Sequence, residues 1–334
     1  MAKYRQFCGM KKHILSAILL INSLISFSNV DFEADSLKTD TIKPADNRTW
    51  KLKSIYTLNG SQSSFINWSA GGRNNISLLV GISASANYKK KSFSWSNDLS
   101  IALGGLYYID QGSEEPLQKT DDRIDLSTNI GQKMKNRPFN FTFIGGFKTQ
   151  TLDGFSFPND SVRVSTFMAP AYINIAIGLD YLKGEDFSVF TSPLAGKITI
   201  VNNDSLANVG AFGVEKAILD PLGNVLVPGK HVRGEFGAYV KMKFNKTIAK
   251  NIDLKSKIEL FSNYLEDPQN IDVNAEALFN FKVNSWFSAS LQWTLIYDDD
   301  VQIRDVKGNI GPRTQFKSVI GLGISYKMDN APKK

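Results

Sequence analysis

The sequence predicts an all-β fold: a twelve-stranded, antiparallel, up-and-down transmembrane β-barrel. Three observations carry that expectation. From residue 50 onward, large apolar side chains recur at every second position, which is the period of a strand and not of a helix. Twelve such segments fit in the chain, starting near residues 51, 74, 92, 119, 138, 167, 186, 231, 251, 270, 286 and 313. The connections between them alternate between short and long without a break, as they do when one rim of a barrel carries tight turns and the other carries loops.

Composition permits this. The chain has 334 residues, of which 42% are hydrophobic and 21% charged. A mean hydropathy of −0.19 resembles that of a soluble protein, but in a membrane barrel only alternate residues face lipid. The basic balance, +7 with a pI near 9.2, does not point to nucleic acid, because the lysines are spread over strands and turns with no recognition helix or aromatic platform.

The N-terminal part reads as a leader. Met10-Lys11-Lys12-His13 precedes an apolar run from Ile14 to Phe27, a basic region followed by a core too short to span a bilayer comfortably as a helix. Ser26 and Ser28 place cleavage after Ser28, with Met10 as an alternative start. Residues 1–28 are thus expected to be a signal peptide, 29–49 a polar periplasmic lead-in, 50–328 the barrel and 329–334 a tail. The single cysteine, Cys8, lies in the leader, so the mature chain is expected to have no disulfide.

Several segments show the alternation clearly. Ile76, Leu78, Val80, Ile82, Ala84, Ala86 and Tyr88 share one face, against Ser77, Gly81, Ser83, Ser85 and Asn87. Phe236, Ala238, Val240, Met242 and Phe244 alternate with Glu235, Gly237, Tyr239, Lys241 and Lys243. At the C-terminus Ile320, Leu322, Ile324, Tyr326 and Met328 alternate with glycine, serine and lysine. The seventh segment is irregular, and Pro193 and Gly196 predict a bulge there or an early end to pairing. Twelve strands is an even number, so both ends are expected at the short-turn, periplasmic rim. Tyr88, Trp95, Phe139, Phe187, Phe244, Trp286 and Tyr326 fall near that rim. Tyr107, Phe167, Phe236, Tyr264, Tyr297 and Phe316 fall near the other, as interfacial girdles would.

The polar face must then line the lumen. Its charged members are Lys148, Arg233, Glu235, Lys241, Lys243, Asp253, Lys255, Lys257, Glu259, Asp272, Glu276 and Lys282. On the lipid face each would cost about 2–4 kcal/mol at the midplane. Two readings of these charges stay open. Acids and bases can pair and fill a closed scaffold, or a basic excess can line a narrow aqueous path for anions.

Chemistry beyond this is thin. A hydrolase needs a base beside its nucleophile, and the mature chain has one histidine, His231, with Ser205 and Thr247 nearest and neither in a nucleophile motif. No catalytic residue, cofactor site or metal site is expected. Asp121-Asp122 and Asp298-Asp299-Asp300 lack calcium-loop spacing and read as a solvated acidic rim, bridged to lipopolysaccharide by divalent ions. Gly71-Gly72 lacks the lysine and helix of a phosphate loop and reads as a tight turn.

Two resemblances add to this. Gly323-Ile324-Ser325-Tyr326-Lys327-Met328 looks like the closing strand and assembly signal of bacterial outer-membrane barrels, with Met328 in place of the usual terminal aromatic. It implies an outer-membrane location and the barrel assembly machinery as a partner. Phe65-Ile66-Asn67-Trp68-Ser69-Ala70-Gly71-Gly72, Ser192-Pro193-Leu194-Ala195-Gly196-Lys197 and Ile296-Tyr297-Asp298-Asp299-Asp300 resemble a Bacteroidota outer-membrane barrel family of unknown function, the domain of unknown function 3078 family. That resemblance implies a barrel and a location, and no activity. The leading expectation is a narrow pore for small, anionic solutes. The alternative is a structural or docking barrel whose lumen is plugged by the loop from 202 to 230, and a lipid-modifying enzyme comes third.

Overall fold

The computed structural model describes residues 49–63, 74–109, 117–156, 159–184, 186–304 and 309–330. The leader, nearly all of the lead-in, the Phe65 to Gly72 run with its Gly71-Gly72 turn, and the last four residues lie outside the described residues.

Twelve strands close into one antiparallel barrel. They are β1 (Trp50–Ser63), β2 (Asn75–Lys90), β3 (Phe93–Tyr108), β4 (Leu117–Lys133), β5 (Phe139–Thr149) and β6 (Ala171–Lys183), followed by β7 (Phe187–Ile200), β8 (Val232–Ala249), β9 (Ile252–Asn263), β10 (Asp272–Lys282), β11 (Phe287–Tyr297) and β12 (Gln315–Asp329). Each strand pairs with its neighbours in sequence. β12 then returns to β1, from Lys53 opposite Asp329 to Gly60 opposite Leu322. Asn330 ties this seam: its side chain accepts from the Leu52 amide at 2.9 Å and donates to the Trp50 carbonyl at 3.1 Å. Closure removes the edge strands that an open sheet would expose.

Apolar residues cover the outside. Leu78, Val80, Phe141, Ile175, Leu194, Leu322 and Ile324 are all exposed although large and apolar. Such a surface fits hydrocarbon and not water. At the short-turn rim Trp50 packs on Tyr88 and Trp95, and Phe139 on Tyr181. At the other rim Phe236 meets Tyr264.

Five connections are tight and lie on one rim: 91–92, 134–138, 184–186, 250–251 and 283–286. Lys91, Asn136, Gly184 and Asn251 adopt positive φ there, as hairpin turns that follow the strand twist require. The opposite rim carries the long loops, three of which contain short ribbons: Gly154–Ser156 with Asn159–Ser165, Ile218–Leu219 with Val225–Val227, and Gln302–Arg304 with Ile310–Pro312.

The bulge expected in β7 is present, and pairing continues past it to Ile200. Pro193 has no N–H to give the ladder. The Ser192 hydroxyl substitutes for it, lying 2.7 Å from the Ile177 carbonyl and accepting from the Leu194 amide at 3.1 Å. Backbones crowd here: a Cβ on Gly237 would collide with the Ser262 carbonyl oxygen and one on Gly178 with that of Thr191. Gly237→Ala should therefore cost about 2–3 kcal/mol by forcing strand displacement. Heat-dependent gel mobility of the folded barrel measures it, and an unchanged unfolding temperature would refute the crowding argument.

A charged belt across the lumen as candidate functional site

Register decides which side chains meet inside. Lys241 of β8 stands opposite Glu259 of β9, Lys257 opposite Glu276 of β10, and Lys148 of β5 opposite Asp125 of β4. Cross-strand partners share a face, so all six point into the lumen. Glu259 is the hub. Its carboxylate lies 3.1 Å from Lys148, 3.4 Å from Lys241 and 3.4 Å from Lys257, and it accepts the Tyr239 hydroxyl at 2.7 Å. The ring extends through Lys257 to Glu276 at 3.3 Å, Glu276 to Arg123 at 3.7 Å and Lys148 to Asp125 at 3.8 Å. Each ion removed from water costs several kcal/mol of solvation, so these groups are stable only as an alternating set.

The belt divides two cavities. The one toward the short turns has a volume of about 430 Å³ and the one toward the loops about 590 Å³. Arg123, Asp125, Lys148, Asn174, Tyr239, Glu259, Phe261 and Glu276 line both, which places the belt at their junction. Beyond the belt the charges differ. The inner chamber adds Lys53, Lys243 and Lys255 against Asp98 alone, and the belt's Lys241 and Lys257 line it as well. The outer one adds Asp121, Asp122, Asp272 and Asp298 against Lys197 and Lys317. Ile144, Ala176, Phe190, Ala195 and Phe261, with Tyr239 against them, make an apolar wall along one side of the lumen.

A second cluster lies above the belt. The Lys197 ammonium is 2.7 Å from Asp272, 3.2 Å from Asp298 and 3.4 Å from Glu235, and lies 5.6 Å from the centre of the Phe261 ring. Carboxylate oxygens of Asp272, Asp298 and Asp299 converge there closely enough to suit a cation. The Lys197 ammonium already sits against Asp272 and Asp298, and the Asn270 amide donates to Asp299 at 2.6 Å. Arg233 bridges outward, to Asp300 at 2.6 Å, Glu266 at 3.1 Å and the Gly213 carbonyl at 3.0 Å.

Of the twelve charged residues expected inside, Lys148, Lys241, Lys257, Glu259 and Glu276 meet in the belt. Lys243 and Lys255 line the inner chamber. Glu235 and Asp272 hold Lys197, and Arg233 stands at the loop end. Asp253 and Lys282 pair at 2.6 Å near the short turns, where Thr247 also donates to Asp253 at 2.6 Å. The sequence reading missed Lys197, Arg123 and Asp125. Lys197 was hidden by the bulge. Ser188, Phe190 and Ser192 face Lys243, Lys241 and Tyr239, and after Pro193 the phase shifts by one, so that Ala195 and Lys197 face inward. Regular alternation puts Phe190 and Lys197 on opposite sides.

The rim acids are not the solvated cluster that the sequence suggested. The Asp122 carboxylate is almost fully covered. It accepts from the Thr151 amide, the Thr151 hydroxyl and the Leu152 amide, and pairs with Lys119 at 3.2 Å. These donors fold the start of the 150–170 connection over it.

The longest loop, 201–231, is anchored by its own small core of Ala169, Val201, Leu206, Ala207 and Val214, with Ala211 and Phe212 against it. Helix α1 (Asp204–Asn208) is capped by the Asn203 side chain, which accepts from the Leu206 amide at 3.1 Å. At the hairpin tip the Asn224 side chain and amide, with the Leu222 amide, hold the Asp220 carboxyl below the usual carboxylate range. His231 Nδ1 lies 2.7 Å from the Val201 carbonyl and Nε2 3.3 Å from Asp204, so both nitrogens face acceptors and neither meets a hydroxyl. No residue of this loop lines either chamber.

Two family models match parts of the chain. One, described as protein of unknown function (DUF3078), covers residues 61–155, and another, protein of unknown function, DUF481, covers residues 225–310. No curated protein matches. Among solved structures, the translocator domain of the autotransporter NalP from Neisseria meningitidis aligns over 85% of this chain and 90% of its own, at 10% identity and a TM-score of 0.36. An outer membrane channel from Pseudomonas putida F1 aligns over 86% and 100%, at 9% identity and 0.38. Outer membrane phospholipase A from Escherichia coli aligns over 81% and 89%, at 9% identity and 0.36. Likenesses this distant carry no function. The chain is a closed twelve-stranded antiparallel barrel with a largely apolar exterior, and the family models that match parts of it are described as of unknown function.

Proposed function

We propose that the barrel is a narrow pore for small anionic solutes, inserted in an outer membrane with both termini in the periplasm after removal of the leader. The observation that supports this best is the pair of lumenal chambers joined at one belt, the inner of which is lined by six lysines and Arg123 against Asp98, Asp125, Glu259 and Glu276. Low-dielectric walls focus such a field and concentrate anions. Twelve strands fall between filled eight-stranded barrels and wide porins, which fits a constricted path. In this reading the barrel assembly machinery inserts the chain, and lipid and lipopolysaccharide surround it.

Purified protein in a planar bilayer tests the reading. Under a potassium chloride gradient it should carry current with a reversal potential on the chloride side. Silence at every voltage, or cation selectivity, would remove the proposal.

A second reading keeps one observation of its own. The Arg233 contacts to Gly213 and Asp300 tie the 201–231 loop to the neighbouring loop at the mouth. If that loop is a plug, a silent wild type should conduct once residues 203–229 are replaced by a short glycine-serine link. If the pore reading holds, the wild type conducts already and the replacement changes mainly its outer access. Lipid hydrolysis surviving His231→Ala would rule out His231 as a catalytic base.

A further inference from the structure

We infer that the inner chamber is a binding site for a small solute carrying two or more negative charges, held between Lys243 and Lys255 with Lys53 completing the site. The inference rests on the anion-pore reading and names its solute class.

The belt lysines all have carboxylate partners within 4 Å, whereas among the described residues no carboxylate comes that close to Lys53, Lys243 or Lys255. Register makes the arrangement costly. Lys243 stands directly opposite Lys257, and Lys255 opposite Asn245 one step along the same inward face. Like charges placed opposite each other destabilise a sheet. Glu259 and Glu276 satisfy Lys257, so Lys243 is the member of the pair with no carboxylate within 4 Å, and Asp180 acts on it only from farther off. Lys255 lies diagonally beside it, within reach of one shared ligand.

Neither side chain has an alternative place to go, since the other face of β8 and β9 carries Val240, Met242, Leu254 and Ile258 toward lipid. A chloride ion neutralises one ammonium at a time. A diphosphate or a polycarboxylate can bridge both and gain two charge-assisted contacts. The opposite wall supplies neutral donors, with Ser85 and Ser100 lining the same chamber. A volume of about 430 Å³ leaves room for such a molecule with part of its hydration.

Inorganic pyrophosphate is a suitable probe. Chloride current through the full barrel in a bilayer should fall with added pyrophosphate. Block should be stronger from the short-turn side, because the belt separates the site from the loop side. In Lys243→Asn/Lys255→Asn the half-blocking concentration should rise at least about ten-fold, the equivalent of one lost charged contact. Lys243→Arg/Lys255→Arg should restore block, and Lys89→Asn/Lys90→Asn at the exposed turn should leave it unchanged. Heat-dependent gel mobility checks that each variant is folded. A conducting barrel that pyrophosphate does not block, or blocks equally in the asparagine variant, overturns the inference and leaves the pore reading intact. A silent barrel overturns the pore reading instead. Calorimetry in detergent then decides the site: pyrophosphate heat lost in the asparagine variant upholds it, and no heat from the wild type removes it.

Discussion

Glu259→Gln should lower the stability of the barrel by about 3 kcal/mol, the lower end of the cost of breaking a buried ion pair. The substitution keeps size and an acceptor for the Tyr239 hydroxyl but deletes the charge shared by Lys148, Lys241 and Lys257. Three ammonium groups are then left around one neutral amide. The lower end applies because the belt side chains are not fully buried and border a chamber on each side. Two readouts move together. The unfolding temperature falls, and less so in high salt, which screens the repulsion. In a bilayer, chloride selectivity rises because the belt loses a negative charge. A variant as stable and as selective as the wild type would show that Glu259 is not the hub.

Lys197→Met should be comparably harmful and opposite in sign. It removes the ammonium that Glu235, Asp272 and Asp298 share, leaving three carboxylates crowded at the loop end of the lumen. The loss is about 3 kcal/mol. High salt should return part of the loss, because what remains is repulsion between like charges. Calcium supplies a second check. With the lysine gone, the oxygens of Asp272, Asp298 and Asp299 are free to take a divalent ion, so calcium should stabilise the variant and leave the wild type unmoved. Equal melting of both proteins at low and at high salt would sink this account of the cluster.

Much of this architecture was legible in alternation alone. Each expected strand start falls within four residues of an observed one. A lipid-facing strand admits few exceptions to its pattern, so period two is a strong signal in a membrane barrel. The widest miss shows the limit: the sixth segment was expected near 167, but the chain turns at Thr166 to Ala169 before β6 begins at Ala171. The inward charges on β8 to β10 were readable because those strands are regular where the charges lie. Lys197 was not, because one bulge at Pro193 reverses the sense of every later position in β7. The belt itself could not be read. It depends on which rungs of five different strands stand at one height, and that is set by register and not by the pattern within any one strand.

Cysteine accessibility tests the central claim, that alternate residues face an aqueous lumen and the hydrocarbon. Starting from Cys8→Ser, single cysteines replace Lys255 and Leu254, then Lys243 and Met242, in barrels reconstituted into liposomes. A charged, membrane-impermeant thiol reagent should label the lysine positions and leave their immediate neighbours unmodified. Equal labelling at adjacent positions, or labelling at Leu254 and Met242 alone, would contradict a sealed cylinder with this inside and this outside.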